Sequence, residues 1–184
     1  MDTLQDTLLN DDLTRRGLFV VVTRQAGGVM LELAARLALR GALRVLDGGN
    51  RFNVYRVARA VGRMSRASLR PALERICVAR AFTCYQMAAM LEQTLPETIP
   101  TLVVDLLGTF YDESVPFNER RRLLGGSVHQ LQHLGKQAPV VVSLRPPRSP
   151  QPAAAQLQET VQRAADLIWI HAEPPPATAQ LSLF

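Results

Sequence analysis

Six short apolar runs, rich in β-branched residues and separated by stretches of helical spacing, constrain this chain more than anything else in it. The runs are 18–22, 43–47, 75–79, 101–105, 139–143 and 166–170, and each reads as a strand. Apolar residues recur at three- and four-residue intervals over 28–40, 53–64, 84–94, 117–136 and 153–164, which predicts helices there. Strands that are apolar almost throughout, alternating with helices, predict an α/β fold: a mostly parallel sheet with helices on both faces. The chain divides into an N-terminal helix within 1–16 (anchored by Leu4, Leu8 and Leu9), a domain over 17–171, and a tail over 172–184. Pro174-Pro175-Pro176 marks the end of the folded part, because a triple proline continues neither a helix nor a central strand.

At 184 residues, 47% hydrophobic and 20% charged, the chain has enough apolar material for one compact core, which argues against disorder throughout. No apolar run is long enough to span a membrane, and residues 1–6 carry no secretory signal, so a cytoplasmic protein is expected, with nucleoid association as an option. Cys77 and Cys84 do not make a disulfide framework, and Cys77, in an apolar run, reads as core. The charge is +5 overall but unevenly placed: residues 31–80 hold eleven Arg against three acids. Lys136 is the only lysine. Arginine suits planar, bidentate contacts to phosphate or carboxylate.

Residues 17–40 have the strand–loop–helix frame of a phosphate-binding P-loop, with Gly27-Gly28 at its turn. In a working P-loop the last Gly is followed by a Lys that reaches the phosphates and a Ser/Thr that holds Mg²⁺. Val29 and Met30 stand there instead, and neither side chain can do that work. Gly27-Gly28 reads either as a tight turn or as a weak ATP site built on backbone N–H groups at a helix start.

The order of segments resembles the core of the RecA/RadA-type strand-exchange recombinases over about residues 17–171. Val45-Leu46-Asp47-Gly48-Gly49-Asn50-Arg51-Phe52 is similar to the second strand and its turn, and Val78-Ala79-Arg80-Ala81-Phe82-Thr83 to the third strand and the segment after it. Leu102-Val103-Val104-Asp105 is similar to the Walker B strand, and Asn118 to Leu134 followed by Val140–Ser143 to the next helix and strand. The resemblance implies a RecA-like P-loop NTPase core with a degenerate P-loop. It puts the family's catalytic Glu on Gly49 and leaves only Asp105 of the hydrolytic apparatus, so no enzyme activity and no cofactor are expected. Asp105 also reads as a strand-end residue bonding nearby backbone N–H groups.

The helix from Asn53 should turn Val54, Val57, Ala58 and Val61 to the sheet and Arg56, Arg59 and Arg63 outward. No acid lies between Arg51 and Arg70, so this face reads as a solvated surface or as a contact for DNA or an acidic partner. Arg145 and Arg148 lie in the proline-rich loop where the resemblance puts a second DNA-binding loop; the first would fall near Asp112-Glu113, whose charge DNA repels. His129 and His133 have the spacing of zinc ligands on a helix, but no third ligand is evident and no metal is expected.

The chain ends Gln180-Leu181-Ser182-Leu183-Phe184, which resembles the bacterial sliding-clamp-binding pentapeptide. Gln supplies a donor and an acceptor, and two Leu and a Phe supply apolar anchors behind a proline-rich spacer. Together the two resemblances imply a non-catalytic RecA-like adaptor of bacterial DNA repair or damage tolerance, comparable in kind to ImuA and SulA. Its partners would be the DNA polymerase sliding clamp and, beyond it, DNA, a repair polymerase or an active recombinase paralogue. The alternative is a nucleotide- or DNA-binding paralogue that regulates recombination.

Overall fold

The computed structural model describes residues 15–24, 26–146 and 151–170. They form one six-stranded sheet, every pairing parallel, in the order β3-β2-β4-β5-β1-β6. The strands are β1 (Gly17–Val22), β2 (Leu43–Asp47), β3 (Ile76–Arg80), β4 (Thr101–Val104), β5 (Pro139–Leu144) and β6 (Leu167–Ile170). The expected strands are all present, each within about a residue of its predicted bounds. The helices among the described residues are α1 (Ala26–Arg40), α2 (Val54–Met64), α3 (Leu69–Glu74), α4 (Cys84–Glu92), α5 (Phe117–Gly135) and α6 (Pro152–Arg163), with a 3₁₀ turn at Leu106–Gly108. The expected helix within 1–16 and the tail lie outside the described residues.

Strand side chains alternate between two cores. Phe19, Val21, Leu43, Val45, Leu102, Val104 and Val141 pack under α1, α2 and α3 with Met30, Val57 and Ala72. Leu18, Val20, Leu46, Val103, Val140 and Val142 pack under α4, α5 and α6 with Met87, Leu124 and Leu157. Burial on both faces is why the strands carry so few polar residues.

Local chemistry fixes the element ends. Asn53 caps α2, its Oδ1 accepting from Tyr55 N–H at 3.0 Å and Arg56 N–H at 3.2 Å, a contribution of about 1 kcal/mol. Thr83 caps α4 by accepting from Gln86 N–H, and Gln86 Oε1 accepts from Phe82 N–H in return. Gly17, at φ 148°, starts β1 where a Cβ would lie 2.9 Å from Asp166 Oδ2, the carboxylate that accepts from Leu18 N–H at 2.7 Å.

Two expected burials are corrected. Cys77 is exposed, because β3 is an edge strand and its Cys77 and Val78 are only partly covered. Val54 is 44% exposed; in the register α2 adopts, Val57, Ala60 and Val61 face the sheet. Among the described residues no helix is long and apolar enough to cross a membrane.

Candidate functional site at the carboxyl edge of the sheet

The chain leaves β1 and β2 toward one face of the sheet, and β3, β4 and β5 toward the other. Where neighbouring strands diverge in this way a crevice opens beyond their carboxyl ends, the usual ligand position in open parallel sheets. β2 ends at Asp47 and β4 runs into Asp105, and both carboxylates are completely buried.

Asp47 organises the loop after β2. Its Oδ1 accepts from Arg51 N–H at 3.0 Å and its Oδ2 from Phe52 N–H at 2.9 Å. Arg80, from the end of β3, lies 3.3 Å from the same Oδ2 and donates to Phe52 O at 2.7 Å. Asp105 has left-handed backbone, φ 54°, as has Asn50 at φ 50°. Such conformations are uncommon outside glycine and cluster at functional sites. The Asp105 N–H donates to Ser143 Oγ at 2.9 Å, and its Oδ2 accepts from Arg145 Nε at 2.7 Å. Its Oδ1 is buried with no hydrogen-bond partner among the described residues. The expectation that Asp105 bonds backbone N–H groups is therefore corrected: its carboxylate is the anion of an ion pair with Arg145.

Gly49 lies against this pair. A Cβ there would come within 2.2 Å of Asp105 Oδ2 and 2.6 Å of Asp105 Cβ. The position where the resemblance puts a catalytic Glu has no room for any side chain. Gly27 and Gly28 are not in a turn, which corrects that reading: they lie in the first turn of α1, and only residues 23–25 separate β1 from that helix. Val29 packs partly against the core and Met30 is wholly buried in it.

The arginines divide. Arg145 pairs with the buried Asp105 carboxylate, and its side chain, 29% exposed, still lines the cavity described below. Arg148 and the segment Gln180–Phe184 lie outside the described residues. Arg63 meets Glu32 of α1 at 3.1 Å, so the outward face of α2 has an acidic partner that its own segment lacks. Arg56, Arg59 and Arg63 flank a small recess against Gly28 and Glu32. Beside it a larger cavity of about 650 Å³ is lined by Arg24, Arg51, Arg56, Arg80 and Arg145, with Asn53 and Tyr55. Among the described residues no carboxylate lines it. Arg24, Arg51 and Arg80 were not among the expected contacts. The signal available was their position, at or just beyond the ends of apolar runs. His129 and His133 are exposed on α5, and among the described residues no His, Cys, Asp or Glu cluster could hold a metal.

The Tyr111 hydroxyl donates to Arg145 O at 3.1 Å. Burial, reinforced by the Asp105 charge and opposed by Arg145, pushes its phenol up to about 12. The folded-state value exceeds the unfolded one, so this contribution to stability is complete below about pH 10 and is lost as pH rises toward 12. Phenolate absorbance during alkaline titration should show one tyrosine ionising near pH 12, and in Tyr111→Phe that step should vanish. An unchanged titration in the variant contradicts the assignment.

Comparison with protein-family models finds no match, and comparison with curated proteins likewise finds none.

Proposed function

We propose that the protein is a non-catalytic, RecA-like adaptor of DNA repair or damage tolerance that docks on the DNA polymerase sliding clamp through Gln180–Phe184. The observation that carries the non-catalytic half is the seat of Asp105. Phosphoryl transfer needs a cation on the phosphates, a metal-holding hydroxyl and a carboxylate that positions water. At the corresponding positions stand Val29, Met30 and Gly49, and Gly49 is pressed against a carboxylate already neutralised by Arg145. A six-stranded parallel sheet flanked by helices on both faces accords with a RecA-like core. The docking half rests on the terminal sequence, whose Gln, Leu and Phe are the side chains a shallow apolar pocket with one polar corner selects.

Two results are expected together. The full chain should turn over no ATP, and grafting Val29→Lys with Met30→Thr should not restore turnover, because no side chain fits at Gly49. Deleting residues 180–184 should end co-elution with the clamp and leave thermal unfolding unchanged. ATP turnover by the unaltered protein, or co-elution of the shortened chain, contradicts the proposal.

A further inference from the structure

We propose that the arginine-lined cavity at the carboxyl edge binds a cluster of phosphate groups bearing about three negative charges, directly and without a metal ion. Five guanidinium groups, from Arg24, Arg51, Arg56, Arg80 and Arg145, converge there from four separate parts of the sheet edge. Only two are neutralised: Arg80 by Asp47 and Arg145 by Asp105. Arg24, Arg51 and Arg56 have no ion-pair partner among the described residues, and guanidinium stays charged at any ordinary pH. Among the described residues, then, three of the cavity's positive charges are uncompensated.

Its size and walls select the ligand. A volume of about 650 Å³ is that of a small-molecule site. The guanidinium fork matches phosphate oxygens in pairs. The first turn of α2 opens on the cavity and has no acid, so its dipole favours an anion as well. A bound Mg²⁺ would need accessible oxygen ligands, and both carboxylates at this edge are buried and paired. Tyr55 stands 80% exposed at the rim, where its ring offers a stacking face for a base. Two sources supply this chemistry: a free nucleoside polyphosphate, or the 5′-phosphorylated end of a nucleic-acid strand. The inference is independent of the tail and stands or falls apart from clamp docking.

Calorimetric titration of the full-length protein with inorganic tripolyphosphate in EDTA tests it. Binding is expected, weakened by about tenfold or more in Arg51→Gln/Arg56→Gln and retained in Arg66→Gln, an exposed arginine outside the cavity. Arg24→Gln, on a different element, should show a loss of the same kind, which separates recognition from local damage to α2. Displacement of tripolyphosphate by ATP more readily than by oligonucleotides assigns the free nucleotide. Displacement by a 5′-phosphorylated strand in preference to its 5′-hydroxyl form assigns the strand end. No binding at millimolar tripolyphosphate, binding only with Mg²⁺, undiminished binding by the double variant, or stronger displacement by a glutamate-rich peptide each overturns the proposal.

Discussion

Gly49→Ala is expected to destabilise the protein by about 3 kcal/mol or more, a large effect for adding one methyl group at a half-exposed turn. The new Cβ would lie 2.2 Å from Asp105 Oδ2 and 2.6 Å from Asp105 Cβ. The carboxylate cannot swing aside. It is buried, its Cβ is fixed by the backbone at φ 54°, and Arg145 holds the oxygen that is struck. Gly108 crowds the same oxygen, its own Cβ position lying 3.1 Å from it and 3.2 Å from Gly49 Cα. Accommodation requires the loop after β2 to lift, which strains the Arg51 and Phe52 N–H bonds to Asp47. For a chain of this length the midpoint of thermal unfolding should fall by roughly 6–12 °C. Gly49→Glu, which supplies the residue the recombinase resemblance calls for, should prevent folding altogether. An alanine variant as stable as the parent would mean that Asp105 does not occupy that space.

Arg145→Ala is expected to cost about 2–4 kcal/mol. It leaves the Asp105 carboxylate buried with Oδ2 stripped of its cation and Oδ1 already without a partner. The cost falls short of that for a fully enclosed pair, because the Arg145 side chain is 29% exposed and water in the cavity can approach. The diagnostic comparison is with Asp105→Asn/Arg145→Ala. Removing the charge as well should recover part of the loss, since an amide is cheaper to bury than an unpaired carboxylate. A single variant with unaltered denaturant midpoint, or a double variant no better than the single, contradicts the ion pair as the lock on Asp105.

Much of the architecture was legible in the residues. Fully buried parallel strands leave an unmistakable trace, so Leu18–Val22 and Val140–Ser143 could be placed from composition alone. The helix Leu69–Glu74 was not foreseen, because six residues with Pro71 among them are too few to show a period. The exposure of Cys77 was not legible either. An apolar run does not reveal whether its strand lies at the centre or the edge, and sheet order in a parallel fold is set by crossovers rather than by neighbouring residues.

The site was legible only in pieces. Asp105, Gly49 and Val29 were each identifiable as positions, but the contact between Gly49 and Asp105 joins residues 56 apart and appears only when β2 and β4 pair. The arginine cavity is the stronger case. Arg24, Arg51 and Arg145 follow three different strands and Arg80 ends a fourth, and their convergence is a product of strand order. Reading charge along one helix singled out Arg56, Arg59 and Arg63, of which Arg56 alone lines the larger cavity.

The most direct measurement is surface binding of the purified full-length protein to the sliding clamp of the same organism, beside a Gln180→Ala/Phe184→Ala variant. Clamp docking predicts saturable binding by the parent and a loss of about a hundredfold or more in the variant, whose circular dichroism stays unchanged. Equal binding by both, or no binding by the parent to a clamp shown competent with a control peptide, would contradict the adaptor reading.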